Sequence, residues 1–229
     1  VKTIGLLGGM SWESTAEYYR IVNETVRERL GGYHSAKVLV DSVDFAEIES
    51  LQASGDWDTA ADQLAAHALA LQGAGADLVV LCTNTMHVVA ERIEAVLAVP
   101  FLHIGDATAQ TVRRAGVRTV GLLGTAFTMT MPFLSDRLTA HGLSVLVPEE
   151  RDVETVHRVI YDELVHGVVR AASRDEYRAV IRRLVARGAE GVILGCTEIE
   201  LLIGADDSAV PVFPTTRIHA EAAVEVALR

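Results

Sequence analysis

Along the chain, short unbroken runs of Val, Ile and Leu alternate with longer stretches whose apolar residues recur at steps of three and four. The runs predict strands at Thr3 to Leu7, Lys37 to Val40, Leu78 to Leu81 and Phe101 to Ile104. Four more are predicted at Thr119 to Leu123, Ser144 to Val147, Gly191 to Leu194 and Val210 to Phe213. Helical spacing appears between them, as in Ala61, Leu64, Ala68 and Leu71, and again in Val153, Val156, Ile160 and Leu164. Strands that read as solid aliphatic runs, without alternation, are those covered on both faces. That pattern belongs to a parallel sheet sandwiched by helices, so an α/β fold is expected.

The pattern repeats. KTIGLLGG at 2–9 returns as RTVGLLGT at 118–125, and GADLVVLCTNT at 75–85 returns as GAEGVILGCTE at 188–198. Val99-Pro100 returns as Val210-Pro211. Three echoes in one order describe a duplication with small differences in loop length. The expectation is two pseudo-symmetric four-stranded parallel-sheet α/β domains, 1–104 plus 212–229 and 105–211, with the active site in the cleft between them. Ligands of open α/β units sit outside the carboxyl ends of the strands. Duplicated units can therefore offer two similar groups to the two faces of one small substrate.

The repeat also sets the register of the chemistry. It pairs Cys196 with Thr83 and leaves Cys82 opposite Gly195, one residue out of step. In extended chain that single step turns the Cys82 side chain away from that of Thr83, which suits a small buried hydrophobe. Cys196 closes an apolar strand, and Thr197-Glu198-Ile199 reads as a helix start. Such a position is expected to favour the thiolate.

Composition narrows the function. The chain has 229 residues, half hydrophobic and 22% charged, with a formal net charge of −11. An acidic balance of that size disfavours nucleic-acid partners, which need clustered Lys and Arg. No stretch reaches the ~18 uninterrupted apolar residues of a membrane span, and no secretory signal is recognisable at the start. With two cysteines placed beside turn residues, a reduced, cytoplasmic protein is expected. Gly5, Gly8 and Gly9 make neither a dinucleotide fingerprint nor a phosphate loop. The eight histidines show no metal-ligand spacing, so no metal and no cofactor are expected.

TNTMH at 83–87, GCTE at 195–198 and GLLGGMSWEST at 5–15 resemble the aspartate/glutamate racemase superfamily, and the resemblance runs the length of the chain. It is nearest the aspartate-racemase branch and its L-aspartate/glutamate-specific or broad-specificity group. The family writes C-N-T in the first half and G-C-T in the second, with two cysteines as opposed acid and base on the α-carbon. The resemblance implies a cofactor-independent amino-acid racemase, with homodimers common among relatives. This chain departs from the pattern where Thr83-Asn84-Thr85 replaces C-N-T. By the matched position, Cys196 takes the proton of the L enantiomer and Thr83 faces it, which suggests faster conversion from L to D than back. Met10, Ser11, Gln52, Asn84, Thr85, Thr125, Thr128 and Thr197 are the candidate substrate-binding residues. Glu198 is a further one, either for the substrate ammonium or as a helix-dipole partner. Strict aspartate racemases carry a cation after the second strand, where this chain has Ala46-Glu47-Ile48-Glu49; a second family lysine aligns near Val165-His166. Substrates with neutral side chains are thus admitted beside L-aspartate and L-glutamate. Two rival readings remain: a single-cysteine decarboxylase or isomerase of the same superfamily, and a catalytically impaired ligand-binding protein.

Overall fold

The computed structural model describes residues 1–229, and the chain divides into two compact units, Val1–Ile104 with His219–Arg229, and Gly105–Ile218. The first carries β1 (Thr3–Gly8), α1 (Trp12–Leu30), β2 (Lys37–Ser42), α2 (Phe45–Ser54), α3 (Trp57–Gly73), β3 (Leu78–Leu81), α4 (Ala90–Val96) and β4 (Phe101–Leu102). Next come α5 (Ile104–Arg114), β5 (Thr119–Gly124), α6 (Ala126–Thr130), α7 (Pro132–Ala140), β6 (Ser144–Leu146) and α8 (Glu150–Asp162). The chain finishes with α9 (Ala171–Ala186), β7 (Gly191–Gly195), β8 (Val212–Pro214) and α10 (Thr215–Ala227). No helix is long and apolar enough to cross a membrane.

Each unit holds one four-stranded parallel sheet, ordered β2-β1-β3-β4 in the first and β6-β5-β7-β8 in the second. The two orders are the same order, as duplication requires. Two differences from expectation stand out. Ile104 opens α5 and does not extend β4. Val212–Pro214 pairs with β7, so these residues belong to the second unit, and the chain returns to the first only at His219. The expected boundary at 212 is therefore moved to 219: a strand bonded along β7 cannot leave that sheet.

The central strands are covered on both faces. In the first unit Leu7, Val79 and Leu81 pack against Ile48, Leu64, Ala68 and Ile93, contributed by α2, α3 and α4. The alternate residues Ile4, Leu6, Leu78, Val80 and Cys82 face Tyr18, Ile21 and Val22 of α1 and Ala220 and Val224 of α10. In the second unit Leu123, Val192 and Leu194 meet Val156, Val159 and Ile160 of α8 and Tyr177, Val180 and Leu184 of α9. Each fully buried Leu, Ile or Val side chain stabilises by about 1.5–3 kcal/mol relative to exposure, and these layers hold the strand ends in place. The turn after β1 needs Gly9: its φ is 93°, and a Cβ there would come within 2.2 Å of the Val43 carbonyl oxygen.

Candidate active site

Sheet register aligns the two halves independently of the sequence repeat. Leu81 of β3 lies beside Leu7 of β1, and Leu194 of β7 lies beside Leu123 of β5. Leu81 and Leu194 are thus equivalent, and two residues further on stand Thr83 and Cys196. Both are half-buried and both precede a short 3-10 turn, Thr85–Val89 in one unit and Thr197–Leu201 in the other.

Cys82 falls on the other side of the strand. It is fully buried in the layer with Ile4, Leu6 and Tyr18, and burial pushes its thiol up. The equivalent position, Gly195, admits no side chain: a Cβ would meet the Leu123 carbonyl oxygen at 2.9 Å and Thr128 Cγ2 at 3.1 Å.

Cys196 continues the face of Val192 and Leu194 and packs against the same cluster. Its Sγ donates a hydrogen bond to Glu198 Oε2 at 2.9 Å. The thiol is raised well above its ordinary value, by burial first and then by the Glu198 carboxylate. This reverses the expected depression. The following helix is a single short turn with little dipole, and the anion beside the sulfur opposes a second negative charge. The resting group is a protonated thiol with a proton acceptor already in contact. Glu198 is thereby engaged with the thiol, a contact that neither expected role described.

The remaining candidates sort by partner. Ser11 caps α1, its hydroxyl accepting from the Ser14 amide at 3.3 Å. Met10 is buried beside it. The amide N–H of Gly9 donates to Thr15 Oγ1 at 2.8 Å. Thr125 caps α6, and its Oγ1 lies 3.2 Å from Thr128 Oγ1. Thr128 is fully enclosed and braces the turn. Gln52, also buried, sends its Nε2 to the Met86 sulfur at 2.9 Å, tying α2 to the turn after Thr83. Asn84 is buried at the head of that turn and Thr85 is half-buried within it.

Thr197 Oγ1 lies 2.8 Å from Thr216 Oγ1, and the enclosed Thr215 donates its hydroxyl to the Leu194 carbonyl at 2.9 Å. This Thr215-Thr216 pair braces the Cys196 turn and went unremarked in the sequence; paired threonines between Pro214 and a helix were the available signal. Ala46–Glu49 lies within α2, and Val165-His166 within the 3-10 turn Leu164–His166. Nowhere do three or more His, Cys, Asp or Glu side chains gather as a metal cluster would.

Matched strand ends in two like-ordered parallel sheets, one ending in a hydroxyl and the other in a thiol, mark a duplicated α/β protein. The model of the Asp/Glu/hydantoin racemase family matches residues 7–223, and the chain belongs to that family. It is similar to a Yersinia pestis protein assigned provisionally as an Asp/Glu racemase, with 54% identity, complete coverage of both chains and a TM-score of 0.96. An aspartate racemase homologue from Pyrococcus horikoshii OT3 is 36% identical over the whole of both chains, with a TM-score of 0.89. The broad-specificity amino-acid racemase RacX of Bacillus subtilis is 23% identical over 168 residues, 70% of this chain and 69% of its own length.

Proposed function

We propose that this racemase acts on free amino acids without pyridoxal phosphate or metal, with Cys196 removing the α-proton of the L enantiomer and Thr83 supplying a proton to the other face. The observation that carries the reading is the register-matched pair itself: the sheet places a thiol in one unit where it places a hydroxyl in the other.

The proton inventory is simple. The Cys196 thiol passes its proton to Glu198, and the thiolate then takes Cα–H, leaving a thiol and an enolate-like carbanion. Thr83 O–H protonates the carbanion and is itself reprotonated from water, and the hydroxide so left takes up, through solvent, the proton held on Glu198. Neutral donors at Asn84, Thr85 and Thr197 suit the developing negative charge and the α-carboxylate. A threonine hydroxyl gives a proton to a carbanion far more readily than it takes one from carbon. Enantiomers nevertheless have equal free energy, so kcat/KM must be the same in both directions. Asymmetry between cysteine and threonine therefore appears only as a split between kcat and KM.

The substrate reading is L-aspartate and L-glutamate within a broader set. No Lys or Arg lies in Ala46–Glu49 to hold a distal carboxylate, and a related Bacillus subtilis racemase has broad specificity. The test is a panel of L- and D-amino acids incubated in deuterium oxide, with Cα deuterium followed by NMR and enantiomers by chiral chromatography. Exchange together with conversion is expected for several members. Tight binding of an amino acid with no exchange would replace the racemase with a binding protein, and release of carbon dioxide from a malonate-type acid would favour the decarboxylase.

A further inference from the structure

The Thr83 turn is tied down by a histidine that the proposed reaction leaves without a task. His87 is buried, with 2% of its surface exposed, and it spends both ring nitrogens on backbone. Its Nδ1 lies 2.7 Å from the Thr83 carbonyl oxygen, and its Nε2 lies 3.2 Å from the amide nitrogen of Ile104. An amide can only donate and a carbonyl can only accept. The ring is therefore neutral, with its proton on Nδ1.

The surroundings enforce that state. Rings of His103 and His219 stand 4.6 and 5.8 Å away, centroid to centroid, and Phe101 stands at 5.9 Å. His219 is locked in turn between the Tyr18 hydroxyl at 2.8 Å and the Leu102 carbonyl at 2.7 Å. Burial and the two neighbouring imidazoles hold His87 well below the usual histidine range. Thr83 itself lies past the end of β3, one residue beyond the Cys82 amide that donates to the Leu7 carbonyl at 2.8 Å.

We propose that His87 is the positioning residue for Thr83: its Nδ1–H holds the Thr83 carbonyl, and so the hydroxyl, in the orientation that returns a proton to the substrate. This rests on the assignment of Thr83 made above. It acts on one face of the substrate only, because Cys196 belongs to a different strand end with its own braces at Thr215 and Thr216.

Two polar replacements divide the ring's duties. His87→Asn keeps an amide donor near the Nδ1 position and gives up the Ile104 contact. His87→Gln reaches toward Ile104 and gives up the donor to Thr83. Both are assayed in deuterium oxide for label entering recovered L substrate and for conversion of L to D, with thermal melts to confirm folding. In His87→Gln the ratio of conversion to L-side exchange is expected to fall about tenfold or more, the scale on which a small misplacement acts. In His87→Asn it is expected to stay within about threefold of the parent, even where its melting temperature falls as far. A parental ratio in His87→Gln, or a collapsed ratio in His87→Asn, overturns the proposal. A simple loss of stability lowers both activities together and leaves the ratio unmoved, which also overturns it. Thr83→Ala separates the two layers: conversion at the parental level removes the role of Thr83 and that of His87 with it. Conversion lost in Thr83→Ala but parental in His87→Gln removes the positioning role alone.

Discussion

Replacing Cys82 with alanine separates the two adjacent residues that chemistry and geometry would nominate differently. The thiol is fully buried among Ile4, Leu6, Tyr18 and Ala220, so its loss removes a group about the size of a methylene and leaves a small cavity. The transfer part is about 0.8 kcal/mol, and the unfilled space adds a comparable amount, for about 1–2 kcal/mol at neutral pH. In a chain of this size that lowers Tm by about 2–4 °C per kcal/mol.

The penalty is expected to change with pH. Burial holds the folded thiol above its unfolded value, so the folded state keeps a proton that the unfolded state releases above pH ~8.5. Stability contributed by this group is complete below that pH, and declines by about 1.4 kcal/mol per pH unit above it. Cys82→Ala lacks the term. Urea titrations at several pH values should show parent and variant converging about one unit above the unfolded thiol's value. Cys196 is common to both proteins and cancels. The variant should retain most of kcat, whereas Thr83→Ala should lose conversion by about a hundredfold while L-side exchange continues. A folded but inactive Cys82→Ala beside an active Thr83→Ala would show that the register is wrong.

Other outcomes follow from the same geometry. Cys196→Ala should lose at least about a hundredfold in Cα exchange while melting near the parent, because a carboxylate, the other kind of acceptor on that turn, is a far weaker base than a thiolate. In Glu198→Gln the carboxylate that raises the thiol is gone, so the Cys196 thiolate signal should appear at lower pH in an ultraviolet titration; an unmoved or upward-shifted curve would discard the Sγ–Glu198 contact. Because His87 is held neutral, its contribution to stability is complete above the unfolded value and declines as pH falls below ~6.5. His87→Asn should accordingly be less sensitive to acid than the parent in urea titrations. Activity should survive a chelator, since no group of three or more His, Cys, Asp or Glu is placed to hold a metal ion; loss that returns on adding metal would overturn this.

Much of this arrangement was legible in the residues because parallel strands covered on both faces leave solid aliphatic runs. Leu78–Leu81 is a strand within the bounds its sequence implies. The pairing of Thr83 with Cys196 was legible for a different reason: the duplication supplies an internal ruler, and sheet register returns the same alignment. What sequence could not show was environment. The position of Cys196 before a turn suggested a lowered thiol, but burial and the Glu198 contact depend on side-chain placement. Ser11, Thr125 and Thr128 read as ligand hydroxyls, and three of the same residue types are what helix caps and turn braces require. The return to the first unit was misplaced by seven residues, since Val210-Pro211 matched its repeat without revealing that β8 stays with β7.

The course of α10 bears on the order in which the protein is made. This one helix begins in the second unit and ends in the first, where Ala220, Ala223, Val224 and Ala227 close the layer beneath β1 and β3. His219, at the crossing, supplies the partner for Tyr18 and for the Leu102 carbonyl. On a ribosome, the second unit therefore has all its residues through Ile218 before the first has its covering helix. The unit nearest the amino terminus is thus the last to have all of its residues, whereas domains generally fold amino-terminal first. Until the last turns of α10 emerge, Ile4, Leu6, Val80 and Cys82 have one flank open, and the Thr83 turn waits on residues translated more than a hundred codons after it.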